Sequence, residues 1–307
     1  MGCSCLILGV GMVKLTMIYR GLVTAAFLVM SAGFAFAKPT ILATFSILED
    51  LIKKIVGDSM DVKALVPRMK DPHTYELRAS DMIAIKEADL IIAYAPPFEG
   101  WLAQALEHYP GKLTFVAEKH PFRKLDDGSI DPHTWHDISM ILTVVDELTR
   151  ILCKRDPCHK EIFQNRAEIF KDKLHALDKT LKELFDSLPR PKRVVLTTHD
   201  AFWYFGKAYG ITFLSPVGIT TAEEPSAGTV AGIIHQIRHS NVGAIFIETL
   251  SNGAIVEKIA SEVGQKVDGT LFADSLSEDD LANTYLKMVA FNAYTIHKAL
   301  IQRQQKN

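Results

Sequence analysis

Between His159 and Pro189 the chain reads "HKEIFQNRAEIFKDKLHALDKTLKELFDSLP". Phe163, Ala167, Phe170, Leu174, Leu177, Leu181, Leu184 and Leu188 recur there at alternating steps of four and three, the period of one helix face. A coiled-coil seam uses this spacing, and so does one long helix that lays an apolar stripe along a protein body. At 1.5 Å per residue about 29 residues reach roughly 43 Å, enough to span a two-lobed molecule. Pro189 and Pro191 then end the run, because proline lacks the N–H that a helix needs. A rod of that reach in mid-chain divides the sequence into an N-terminal and a C-terminal part, and the connection between them is stiff.

On both sides of the rod, short β-branched runs alternate with helical stretches. "TILATF", "VKALV", "DLIIAYA" and "KLTFVA" read as strands before it, and "SILEDLIKKIVG", "SDMIAIKEA" (with Ser80 as a cap) and "EGWLAQALEH" as helices. The pattern restarts at Arg193 with strands "RVVLTT", "ITFLSPV", "GAIFIE" and "KVDGTLF", and helices "AFWYFGKAYG", "SAGTVAGIIHQIRHS" and "NGAIVEKIASEVG". Strands alternating with helices imply a parallel sheet covered on both faces. The expected fold is therefore α/β: two lobes, each a parallel β-sheet flanked by helices, joined by one long α-helix. The expected boundaries are 1–37 for leader and upstream sequence, 38–158 for the first lobe, 159–188 for the linking helix and 189–307 for the second lobe.

A chain of 307 residues with 48% hydrophobic and 23% charged residues suits a globular protein of this size. Its formal charge of −2 gives no electrostatic case for nucleic acid or an anionic membrane. The beginning of the sequence is of a different kind. Arg20 precedes an apolar run that closes on Ala35-Phe36-Ala37, and a basic start, an apolar middle and A-x-A make a cleavable secretory signal. Cleavage is expected after Ala37, with Met17 the start of the signal and "MGCSCLILGVGMVKLT" upstream of it. The apolar run is short for a membrane span, and no cysteine comes after it to carry a lipid. Cys153 and Cys158, in "CKRDPC", lie beyond the leader. In an oxidising compartment that spacing can close a small loop by a disulfide.

One stretch is written twice. "DPHTYE" starts at Asp71 and "DPHTWHD" at Asp131, some sixty residues apart. Proline fixes its own φ and holds the residue before it extended, so each copy is a stiff corner presenting a histidine. Ligands of parallel α/β sheets bind beyond the carboxyl ends of the strands. His73 follows "VKALV" by a few residues, His199 follows "RVVLTT", Asp274 follows "KVDGTLF", and His133 leads into "DISMILTVVDELTRIL". Two histidines from one lobe and a histidine and an aspartate from the other can meet in one cleft as ligands of a single ion. His136, three residues past His133, is expected to turn away, and His108, His120, His159, His175, His235, His239 and His297 to be structural or surface residues. Glu248, ending "GAIFIE", is expected to brace a ligand. Asp71, Asp131 and Asp200 stand beside candidate ligands, where carboxylates often fix a histidine's tautomer.

With those residues placed, the chain resembles the substrate-binding proteins of ABC importers for zinc and manganese, the zinc-uptake type of the cluster A-I family. The matching stretches are "DPHTYE…SDMIAIKEADLIIAY…FEGWL", "DPHTWHD", "THDAFWYFGKAYGI", "TTAEEPSAG" and "GAIFIETL…LFADSLSE", from about Thr40 to Ala299. The resemblance implies a metal carrier and not an enzyme, with the ion at the lobe interface on His73, His133, His199 and Asp274. It implies a membrane permease as partner, a periplasmic location and a monomer. The histidine-rich acidic loop of many zinc members is absent, as is the lipoprotein cysteine of Gram-positive ones. Three imidazoles and a carboxylate suit four-coordinate Zn²⁺, whereas Mn²⁺ prefers more oxygen ligands; manganese sites of the family commonly place a glutamate where this chain has His199. Zn²⁺ is the expected cargo and Mn²⁺ the alternative. The rival class, a secreted zinc hydrolase, requires an open coordination position and a general base, and four protein ligands leave none.

Overall fold

Strand β1 (Thr40–Ala43) runs into helix α1 (Ser46–Val56), β2 (Asp61–Ala64), α2 (Ala79–Glu87), β3 (Leu90–Ala93), α3 (Gly100–Leu106) and β4 (Leu113–Phe115). A two-stranded hairpin, β5 (Arg123–Lys124) and β6 (Ile130–Asp131), precedes α4 (Ile138–Arg155) and the long α5 (Lys160–Asp186). The second half comprises β7 (Val194–Leu196), α6 (Trp203–Tyr209), β8 (Thr212–Leu214), α7 (Ala227–His239), β9 (Val242–Glu248), α8 (Ala254–Glu262), β10 (Gly269–Leu271) and α9 (Tyr285–Lys306). This computed structural model describes residues 38–106, 109, 111–239 and 242–306. The leader and its cleavage point after Ala37 lie outside the described residues. Among the described residues no helix is long and apolar enough to cross a membrane.

Each half forms a four-stranded parallel sheet, in the orders β2-β1-β3-β4 and β10-β9-β7-β8. The two orders are one topology. In each, the chain leaves its first strand toward one edge and then returns to the other side of it. That reversal opens a crevice at the carboxyl ends of β1 and β3 and again at those of β7 and β9, where α/β sheets bind ligands. The inner strands β1, β3, β7 and β9 are largely buried on both faces, as parallel strands under helices must be, and the edge strands are part-exposed. Their side chains alternate between layers: Ile41 and Ala43 face the central core, and Leu42 faces a separate cluster with Ile85, Ile91 and Leu102.

The central core is continuous from the first half to the second, and α5 is the reason. Phe163, Ala167, Phe170, Leu174, Leu181 and Phe185 are buried along it, with Leu188 buried just beyond its end. The helix packs on α1 and α4 with one end and on α6 and α9 with the other. The apolar stripe is therefore a spine for both halves and not a seam awaiting a second helix. Residues from Pro39 onward form one compact unit. Polar ties cross it: Arg68 Nη1 donates to Ser277 O (2.9 Å) and Asn283 O (2.8 Å), Trp135 Nε1 to Ala273 O (3.0 Å), and Tyr285 N to Asp50 Oδ2 (2.9 Å).

One local expectation needs correction. Helix α2 starts at Ala79 with Arg78 in the capping position, so Ser80 lies inside its first turn; Asp81 Oδ2 accepts the Arg78 N–H (2.7 Å) and so closes the helix start. Cys153 and Cys158 are free thiols. Cys153, in the last turn of α4, points its sulfur toward Lys160 O (3.7 Å), while Cys158 is exposed in the 3₁₀ turn Pro157–His159. The β5–β6 hairpin and the C-terminal helix α9 had no counterpart among the elements read from the sequence.

Candidate metal centre

His73 is set by its own corner. Asp71 Oδ1 accepts the His73 main-chain N–H at 2.8 Å, a turn that Asp is suited to because its short side chain reaches its own backbone two residues on. The ring stands edge-on to Phe98, centroids 5.2 Å apart. The second copy does more. Asp131 Oδ1 accepts both the main-chain N–H of His133 (3.0 Å) and its ring Nδ1–H (2.8 Å). Trp135 packs against that ring at 5.0 Å.

His199 leaves the carboxyl end of β7, beside the second crevice. Glu248, the last residue of β9, accepts the main-chain N–H groups of Thr198 and His199 on Oε1, both at 3.0 Å, and the His199 Nδ1–H on Oε2. Asp274 leaves β10 and is buried, as are His133 and His199.

These four side chains converge. His73 Nε2 lies 3.2 Å from His133 Nε2, which lies 3.4 Å from His199 Nε2. Asp274 Oδ2 is 3.3 Å from His199 Nε2 and 3.7 Å from His73 Nε2, and its Oδ1 is 3.5 Å from His133 Nε2. One donor atom from each of the four lies within 4.8 Å of all the others. Carboxylates accept only, so Asp131 and Glu248 force the hydrogens of His133 and His199 onto Nδ1. When both rings are neutral, both Nε2 lone pairs face the same point. Asp274 Oδ1 is buried without a hydrogen-bond partner, which native proteins rarely tolerate. Lone pairs aimed at lone pairs beside an orphaned carboxylate oxygen repel unless a positive charge sits among them.

The titration of the group agrees. Burial pushes the His199 imidazole down, but the carboxylates of Glu248 and Asp274 outweigh it and hold it well above the usual histidine range. Asp274 is pushed up by burial, yet the three histidines together hold it well below the carboxylate range. Burial takes His73 down to about 3, with Asp274 opposing. Without an ion, the cluster therefore favours a positive charge on His199.

His136 turns away as expected. It is buried, tilted against Phe202 with centroids 4.5 Å apart, and lies outside the converging donors. Glu248 braces the ring of the candidate ligand His199, the place expected for it. Of the three aspartates expected to do so, only Asp131 does. Asp71 holds main chain instead of ring, and Asp200 pairs with Arg123 Nη1 at 2.9 Å. His120 bonds Thr134 and Thr143, and His159 bonds Asp156, both ordinary structural partners. Thr221, Arg123 and Tyr204 were not singled out in the sequence; Thr221 stands in the quoted "TTAEEPSAG", but no spacing rule marks its hydroxyl.

Known proteins share this arrangement of chain. The model for the periplasmic component A of the zinc-uptake complex, ZnuA, matches residues 41–299. The zinc-binding protein TroA of Treponema pallidum is 30% identical over 274 residues, covering 86% of this chain and 89% of the relative. The manganese-binding lipoprotein MntA of Halalkalibacterium halodurans is 27% identical over 267 residues, 85% and 88% of the two chains. The solved structure of TroA superposes with a TM-score of 0.81 at 29% identity, over 86% of this chain and 99% of that one. A manganese-bound periplasmic metal-binding protein from Candidatus Liberibacter asiaticus has the same fold, with a TM-score of 0.79 at 24% identity over 86% of this chain and 100% of that one.

Proposed function

The chain belongs to the ZnuA family of periplasmic metal-uptake components, and from that premise we propose that it carries one Zn²⁺ on His73, His133, His199 and Asp274. As a family member it is a substrate-binding component of an ABC metal importer and not an enzyme, which removes the hydrolase reading. The observation that carries the ligand assignment is the pair of carboxylate-fixed Nε2 lone pairs, 3.4 Å apart, beside the unpartnered Asp274 oxygen. Zn²⁺ is favoured by the donor set. A tetrahedron with bonds of about 2.0–2.1 Å has edges of about 3.3–3.4 Å; the His133–His73, His133–His199 and Asp274–His199 separations of 3.2, 3.4 and 3.3 Å lie near that, while Asp274 stands farther from His73, at 3.7 Å, so the choice of zinc rests on the donor types.

The proposed cycle depends on where the ligands sit. Two come from each half, so the ion bridges the halves and biases them toward closure. The permease must loosen that closure to take the ion. The protein is proposed to work as a monomer, exported through a leader removed after Ala37. Mn²⁺ is the competing cargo, supported by the manganese-binding relative at 27% identity. Metal-stripped protein titrated with each ion is the test. One tightly held Zn²⁺ is expected, with His199→Ala weakening binding by two orders of magnitude or more. Equal or tighter Mn²⁺ binding in competition overturns the choice of metal, and stoichiometric uptake by the alanine variant overturns the site.

A further inference from the structure

Each aspartate of the two repeated corners divides its oxygens in the same way. Oδ1 holds its own histidine, and Oδ2 is linked to the other half of the protein, directly for Asp71 and through the first-half Arg123 for Asp131. For Asp131 the second oxygen lies 3.3 Å from Arg123 Nη1, which also meets Asp200 Oδ2 at 2.9 Å, one residue from His199. For Asp71 it accepts a hydrogen bond from Thr221 Oγ1 at 2.5 Å, in the loop between β8 and α7. Both first-half ligands are thus tied across the cleft through a carboxylate.

The ties differ in strength. Asp131 is wholly buried, and Tyr204 adds a second link by accepting the Arg123 N–H (2.8 Å) and donating to Asp131 O (3.1 Å). Asp71 and Thr221 are both part-exposed, and one bond joins them. His73 keeps 7% of its side chain exposed, against 0% for His133, 1% for His199 and 3% for Asp274. The weaker tie is therefore on the side where the site lies nearest to water. The base of that loop is anchored separately: Met69, left-handed at φ 56°, donates its N–H to Ser275 Oγ at 2.9 Å.

We propose that the Thr221–Asp71 hydrogen bond is a latch across the mouth of the site, and that Thr221 is a positioning residue that sets how fast the bound cation leaves. The latch rests on the assignment of His73, His133, His199 and Asp274 as ligands. With the bond made, the Asp71-Pro72-His73 corner is held from both halves. With it broken, the corner is free beyond Met69 and His73 can swing outward, while Arg123 still ties His133 and His199 together. Thr221 is not among the converging donors, so its effect falls on escape and not on coordination.

The test is the rate at which loaded protein gives up Zn²⁺, and separately Mn²⁺, to an excess of chromophoric chelator. Thr221→Val keeps the shape and removes the hydroxyl; Thr221→Ser keeps the hydroxyl. A hydrogen bond to a charged group at a part-exposed site predicts release about tenfold faster for the valine variant, with serine within about twofold of the parent. Parent-like release from the valine variant overturns the latch, as does equally fast release from the serine variant, which would assign the effect to packing. In both cases the parent still binds its ion and the four-ligand assignment stands. If the parent holds neither ion, that assignment fails and the latch with it.

Discussion

At the scale of single residues, the centre depends on carboxylates that need not touch the ion. Glu248 fixes the tautomer of His199 and holds two main-chain N–H groups of the strand end. Glu248→Gln is expected to weaken Zn²⁺ binding roughly 10- to 100-fold, read by competition against a chelator of known affinity. Binding also has to displace a proton. The metal-free His199 is held well above the usual histidine range, and a ligand imidazole must be deprotonated at the metal-binding nitrogen. Apparent affinity therefore rises with pH until His199 deprotonates in the metal-free protein, and about one proton is released per ion at neutral pH. Calorimetry in buffers of different ionisation heats measures that release; no release at pH 7 contradicts it. Glu99 offers a second test away from the ligands. It accepts from Thr44 Oγ1 (2.6 Å), Tyr94 N (2.7 Å) and Ala95 N (2.8 Å), but burial outweighs these bonds and pushes it up from 4.5 to about 7. The folded state then binds more protons than the unfolded one between those values, so stability falls as pH rises through that window. Glu99→Gln, which cannot titrate, is expected to flatten that slope in denaturant titrations run across it.

At the scale of elements, two features carry the architecture. One is α5, whose buried face joins both halves. Leu174 is fully buried in the central core, and Leu174→Ala is expected to cost about 2–5 kcal/mol of unfolding free energy, while the distant ligand set still binds. The other is Gly243, which interrupts the pairing of β7 with β9: Val194 faces Val242, but Val195 faces Ala244. The extra residue is a bulge, and it lies where strand, neighbouring backbone and α9 crowd together. A Cβ there would fall 2.5 Å from Leu300 Cδ2 and 2.6 Å from Lys192 O. Backbone does not yield as a flexible side chain does, so Gly243→Ala is expected to destabilise by about 1–3 kcal/mol, seen as a lower thermal midpoint.

At the scale of the whole molecule, the two sheets are not free lobes on a hinge. One apolar core runs through both, α5 lies along it, and Arg68, Trp135 and Tyr285 tie one half to the other. Motion on loading is expected to be a small shear or a local loop change rather than a wide rotation. Small-angle scattering of metal-free and loaded protein should superimpose; a large change in radius of gyration contradicts a spine of this kind.

Periodicity and turn chemistry are local properties, so they can be read from sequence. The β-branched runs, the stripe from Phe163 to Leu188, the two Asp-Pro-His corners and the strand-end positions of His199 and Asp274 are all set by neighbours a few residues away. The family resemblance added which of those corners meet. Partners distant in sequence leave no such mark. Thr221 finds Asp71 across 150 residues, and Glu248 finds His199 across 49. Ser80 lost the capping position to Arg78 because Asp81 closes the turn two residues earlier, and α9 is a helix whose role is set by the strands it covers. Local chemistry determined what each segment becomes; the packing of the two halves decided which hydroxyls and carboxylates finally share a bond.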